Sequence, residues 1–268
     1  MDEQHSKNDA SFFLRSLKEE GVEEIYVEAG RSQKTASSTH SNTSSGVQPE
    51  KKIKSANPVT QSAVTQKKIP DQQANNSDPS VNEAMYKLRD QAMACTLCGE
   101  LAATRNKVVF GAGNIKTQLM FVGEAPGRDE DEQGIPFVGA AGQLLTKIIE
   151  SIGFNRDQVF IANTLKCRPP ENRQPKTDEI SNCSPFLQGQ INLIQPKIIC
   201  ALGTFAAQTL LKTETPISKL RGKFWDLNEN TRIVCTFHPA YLLRNPGEKR
   251  KVWEDMKMIK AELDRINL

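Results

Sequence analysis

Four cysteines, Cys95, Cys98, Cys167 and Cys183, are the residues of this chain best equipped for chemistry beyond packing. A thiolate is a soft ligand: a Cys-x-x-Cys pair delivers two sulfurs to one centre, and two more distant cysteines complete four-fold ligation. The ordinary alternative for a cysteine is burial as a small apolar side chain. Here the surrounding segments separate the two roles. Ala94-Cys-Thr-Leu-Cys-Gly99, Lys166-Cys-Arg-Pro-Pro170 and Asn182-Cys-Ser184 are too polar for a core, and their four cysteines are expected to bind a metal centre. Cys200 and Cys235 fall in apolar runs, Ile198-Ile-Cys-Ala-Leu202 and Ile233-Val-Cys-Thr236, and read as packing residues.

Three further groups could handle protons or read a polar ligand: the carboxylate of Glu124, the carboxamide of Asn163 and the imidazole of His238. Each follows a short apolar run with the length and β-branched content of a buried strand. The runs are Leu119-Met-Phe-Val122, Val159-Phe-Ile-Ala162, Ile198-Ile-Cys-Ala-Leu202 and Ile233-Val-Cys-Thr-Phe237. Helical spacing separates them, at Leu144, Leu145, Ile148, Ile149 and Ile152, then at Phe186, Leu187, Ile191 and Ile194; Val252, Met256, Ile259, Leu263 and Ile266 follow the last run. Strands alternating with helices imply an α/β fold with a mostly parallel sheet covered on both faces. Ligands of such sheets bind beyond the carboxyl ends of the strands. The loops at Gly123-Glu-Ala-Pro-Gly127, Asn163-Thr-Leu-Lys-Cys167, Gly203-Thr204 and His238-Pro239 should therefore meet on one rim.

At 268 residues and 37% hydrophobic content the chain exceeds one average domain. Residues 31–80 are dominated by Ser, Thr, Asn, Gln and Lys and cannot bury enough surface to offset ordering entropy, so a disordered polar linker is expected there. Ahead of it, residues 1–30 carry Phe12, Phe13, Leu14 and Leu17, a short amphipathic segment that either docks a replication or repair partner or is a helix that frays in isolation. The folded domain is expected over 81–268, opening at a capping box formed by Ser80 and Glu83. No apolar run approaches the roughly 18 to 20 residues of a membrane span. The N-terminus lacks a secretory pattern, which predicts a cytoplasmic protein whose cysteines are reduced. The formal charge is +3, yet residues 1–86 hold 10 Lys and Arg against 12 Asp and Glu, leaving 25 against 20 for the rest. That surplus permits a nucleic-acid partner without requiring one.

Five pieces in order, Gly123-Glu-Ala-Pro-Gly-Arg-Asp-Glu-Asp131, Pro136-Phe-Val-Gly139, Asn163, Lys166-Cys-Arg-Pro-Pro170 and His238-Pro-Ala-Tyr-Leu-Leu-Arg244, resemble the family 4 uracil-DNA glycosylases over about residues 85–268. The resemblance implies a three-layer α/β/α sandwich and a monomeric enzyme that extrudes uracil from DNA into a pocket and hydrolyses its glycosidic bond. Phe137 would stack on the base. Asn163 would offer a donor and an acceptor to uracil O4 and N3–H, a pattern that cytosine reverses. Glu124 would position water and stabilise the cationic sugar, with Ala125 beside it where some other uracil-excising families carry Asp. His238 would hydrogen-bond uracil O2 as charge develops there. Leu242 and Leu243 would wedge into the minor groove, with Arg244 on phosphate. By its charge, the run Lys249-Arg-Lys251 either adds attraction to the DNA backbone or is a solvated helix start. Cys95, Cys98, Cys167 and Cys183 would hold a structural 4Fe-4S cluster. The rival readings are a relative that traps uracil-DNA covalently and a noncatalytic DNA-binding module linked to replication.

Overall fold

The computed structural model describes residues 79–267. Its elements run α1 (Pro79–Ala94), α2 (Gly99–Thr104), β1 (Ala112–Gly113), β2 (Leu119–Gly123), α3 (Arg128–Gln133), α4 (Ala140–Ser151), β3 (Phe160–Asn163), α5 (Thr177–Ile194) and β4 (Ile198–Leu202). There follow α6 (Thr204–Leu211), α7 (Ile217–Leu220), β5 (Phe224–Asp226), β6 (Arg232–Thr236), α8 (Pro239–Arg244) and α9 (Lys249–Ile266). The proposed docking segment and nearly all of the linker lie outside the described residues. Where the two meet, the expected boundary shifts: α1 already begins at Pro79, so Ser80 sits inside its first turn rather than ahead of it. Proline suits a first helical position because the N–H it lacks would be unpaired there anyway.

The four apolar runs form the centre of a six-stranded sheet in the order β1-β3-β2-β4-β6-β5. β3, β2, β4 and β6 are mutually parallel, while β1 and β5 join the edges antiparallel. Because strand side chains alternate, each central strand feeds two cores. Leu119 and Phe121 pack with Leu144, Ile148 and Ile149 of α4 and with Val252, Met256 and Ile259 of α9. Met120 and Val122 face Leu187 and Ile191 of α5, Ala206 and Ala207 of α6 and Ala92 of α1. This is the expected α/β/α sandwich.

After β3 the chain crosses back over β2 to reach β4, so the order reverses at β2 and opens a crevice beyond the carboxyl ends of the strands. α5 tolerates an internal proline, Pro185. The carbonyl left without its usual partner, that of Ser181, accepts the hydroxyl of Ser184 instead.

Candidate active site and cysteine centre

The loops after β2, β3 and β6 enclose a pocket of about 430 Å3 whose lining includes Glu124, Ala125, Phe137, Asn163, His238 and Arg244. Backbone bonds fasten two of these loops together. Gly123 O accepts both the amide and the hydroxyl of Thr164, and Glu124 O accepts the amide of Leu165.

Asn163 closes β3 opposite Gly123. It is 1% exposed, and its Oδ1 is a buried acceptor without a hydrogen-bond partner. An unpaired buried carboxamide oxygen is costly, so this acceptor has room for one donor from outside the described residues.

Phe137 reaches the same floor from the turn ahead of α4. It holds φ at +55°, a strained value for a bulky residue, and its ring lies 5.6 Å from that of His238. Two clamps impose this turn: Glu130 accepts the amides of Gly127, Val138 and Gly139 at 2.8 to 3.1 Å, and Arg156 donates to the Pro136 carbonyl. Behind it Gly142 must lack a side chain, because a Cβ would stand 1.9 Å from the Phe137 carbonyl oxygen. Glu130 escaped the sequence reading, since an Arg-Asp-Glu-Asp stretch looks like a solvated helix start. Its one signal was the spacing of three residues from Gly127, which lets a Glu in the first turn reach back to the N-cap amide.

His238 caps α8: its Nδ1 accepts the Ala240 amide at 3.1 Å. Burial, reinforced by Arg244, pulls its pKa down to about 4. Burial alone pushes the Glu124 carboxyl above the usual carboxylate range. The pocket thus presents a neutral imidazole and a poorly solvated carboxyl on one rim.

The wedge expectation divides. Leu242 is 0% exposed and packs with the α4 and α9 residues of the core, so it cannot enter a groove; Leu243, one position on, is 45% exposed. Pro239 and Leu242, three apart, form the inward face of α8, which turns Leu243 and Arg244 outward. Of the basic run, Lys249 is buried while Arg250 and Lys251 are exposed.

Cys95 follows α1, Cys98 precedes α2, Cys167 lies beyond β3 and Cys183 sits within α5, and all four line a single cavity. Sulfur receives N–H donors there: Arg105 Nη1 to Cys167 and Lys166 N to Cys183, each at 3.2 Å, and Asn182 Nδ2 to Cys98 at 3.7 Å. Burial raises the thiols of Cys98 and Cys167, and that of Cys183 to about 11. Among the described residues no group of three or more His, Cys, Asp or Glu side chains is arranged to hold a metal ion. Cys200 and Cys235 are fully buried in β4 and β6, as their apolar runs require.

The pocket thus lies where ligands of open α/β sheets bind, beyond the carboxyl ends of the strands at the point where their order reverses. The profile of the Uracil DNA glycosylase superfamily matches residues 110–257, and the chain belongs to that superfamily. Its similarity runs to the type-4 enzymes. It is 45% identical over 186 residues to the type-4 uracil-DNA glycosylase of Sulfurisphaera tokodaii, covering 66% of this chain and 84% of that protein. To those of Archaeoglobus fulgidus and Saccharolobus solfataricus it is 42% and 44% identical over 184 residues each, covering 66% of this chain and 92% and 85% of theirs.

Proposed function

We propose that this chain is a monofunctional uracil-DNA glycosylase of base excision repair, hydrolysing the N-glycosidic bond of deoxyuridine in DNA to leave an abasic site. Beyond the family relationship, the observation that carries this reading is the unpaired Asn163 Oδ1, an acceptor held in the pocket beside an aromatic ring. Uracil N3–H supplies the missing donor, and the Asn163 amide can donate to O4. Cytosine presents a bare N3 and an amino group, leaving both halves of the carboxamide unpaired.

The chemistry then follows from charge. As the C1′–N1 bond breaks, its electron pair moves onto the uracil ring and O2, and the sugar becomes cationic. His238, neutral and with Nδ1 occupied by Ala240, carries its proton on Nε2 and donates it in a hydrogen bond to O2. The Glu124 carboxylate faces the sugar, stabilising its charge and orienting the water whose oxygen bonds to C1′; the water's proton passes to the carboxylate or to solvent. Phe137 stacks on the extruded base, an interaction worth roughly 1 to 3 kcal/mol. Arg244, which lines the pocket, would hold phosphate, and the exposed Leu243 beside it would fill the gap in the duplex.

Donor type, a shared cavity and N–H donors to sulfur support a 4Fe-4S cluster on the four cysteines, whose thiols would have to draw together around it, since no such group is preformed among the described residues. Bound there, it would supply a crosslink between the Cys95–Cys98 turn, the loop beyond β3 and α5. Glycosidic hydrolysis transfers no electrons.

Incubation with uracil-containing oligonucleotides, scored for free uracil, abasic sites and protein–DNA adduct, tests the reading. Free uracil with an equal yield of abasic sites is expected. A stable adduct would indicate the trapping relative, and binding without release a noncatalytic module. Asn163→Asp should weaken uracil selectivity because a carboxylate cannot donate to O4; wild-type excision by Asn163→Ala would remove this residue from recognition.

A further inference from the structure

Lys166 touches both centres. Its main-chain N–H points at Cys183 Sγ, while its side chain doubles back beneath β3. There Nζ donates to the main-chain carbonyl of Asn163 at 2.8 Å and to Gln190 Oε1 at 2.7 Å. Gln190 in turn donates through Nε2 to the Phe110 carbonyl at 2.8 Å. Lys166 is 1% exposed and Gln190 0%.

Removing an ammonium from water is expensive, and both of these bonds end on neutral oxygens rather than on a carboxylate. An apolar side chain of similar length would fill the space more cheaply. What the charge secures is the last carbonyl of β3, that of the residue whose carboxamide is aimed into the pocket.

We infer that Lys166 and Gln190 are positioning residues for base recognition. Anchoring the Asn163 carbonyl from below sets the direction of its Cα–Cβ bond, and so holds the unpaired Oδ1 toward the base. Gln190 stands seven residues beyond Cys183 in α5, two turns along the same buried face. The helix that presents a thiol to the cysteine cavity therefore also carries the prop beneath Asn163. The inference rests on the uracil reading above, with Asn163 as its recognition residue.

The test uses the full chain with Gln190→Leu, Gln190→Glu and Lys166→Met. Three quantities are measured on each: inhibition by free uracil, the single-turnover excision rate on a single-stranded uracil oligonucleotide, and the melting temperature. Gln190→Leu strands the Lys166 ammonium with one oxygen acceptor and leaves the Phe110 carbonyl unpaired, so it should lower the melting temperature; the protein that remains folded should bind free uracil and excise it roughly 10-fold less well, about the value of one hydrogen bond to a charged group. Lys166→Met should lose more than that. Gln190→Glu keeps an acceptor for Lys166 but loses the donor to the Phe110 carbonyl, and should recover part of the uracil binding lost in Gln190→Leu. A folded Gln190→Leu protein with wild-type inhibition by uracil would overturn the inference, as would Gln190→Glu binding no better than Gln190→Leu. Should Lys166→Met fail to fold, the two Gln190 variants decide. Failure of the wild type to release uracil in the same assay would instead overturn the uracil reading itself.

Discussion

A methyl group placed on Gly123 would stand 2.4 Å from Asn163 Oδ1 and 2.6 Å from Phe137 Cζ. The backbone of β2 is thus the surface against which the Asn163 carboxamide and the Phe137 ring are both set. Gly123→Ala should cost about 1 to 3 kcal/mol through overpacking. It should slow excision roughly 100-fold, since displacements of an ångström at a reacting site carry that penalty. Thermal melts and single-turnover rates measure the two effects. A soluble Ala variant working at the wild-type rate would show that neither side chain occupies this position during catalysis.

Activity should depend on pH only on the acid side. Glu124 has to be ionised and its pKa is raised by burial, so the rate should climb as pH rises through a value above the ordinary carboxylate range. His238 has to be neutral, and with a pKa near about 4 it already is over that whole interval. Glu124→Gln should therefore be slow but nearly flat from pH 5 to 8. A limb near the usual histidine pKa in that variant would contradict the neutral, capped imidazole. The same histidine lowers stability in acid: its folded pKa lies below the unfolded value of 6.5, so stability falls as pH drops from there toward about 4.

Adjacent leucines should behave differently. Leu242→Ala leaves a cavity between α4 and α9 and should cost about 2 to 5 kcal/mol in denaturant unfolding. Leu243→Ala should change stability by less than about 0.5 kcal/mol. It should nevertheless slow excision from duplex more than from single-stranded DNA, where no gap in a base stack has to be filled. Equal losses on the two substrates would reject the wedge.

Purified without oxygen, the protein should be brown, with a broad absorbance near about 400 nm from thiolate-bound iron. Cys98→Ala should reduce colour, melting temperature and soluble yield together, with activity declining in step with the folded fraction. A colourless protein holding one zinc per chain would replace the cluster with a mononuclear site.

The central strands were legible because fully buried parallel strands need uninterrupted apolar runs, and the turn residues bounding them placed Glu124, Asn163 and His238 at their carboxyl ends. The edge strands β1 and β5 were not. Ala112–Gly113 carries no side-chain pattern, and Phe224-Trp-Asp226 is too short and too exposed to show one. Leu242 and Leu243 look alike in sequence, and only the phase of α8, set by its buried Pro239, separates the core residue from the exposed one. Glu130 and the Lys166–Gln190 pair were hidden for another reason. Their parts come together across 8 to 24 residues of chain through polar bonds, which leave no periodicity to read.

The two edges of the sheet have a consequence for how this chain survives its own folding. A parallel sheet of four strands made almost entirely of buried apolar residues is a hazard while incomplete, since any unpaired margin can recruit a second molecule. Here each margin is closed by a strand of only two or three residues running against the others, one of them bearing a glycine with φ at +121°. Such borders offer an incoming strand too few unpaired groups, in too irregular a line, to extend the ladder, so protection against edge-to-edge aggregation is in place once the last hairpin forms.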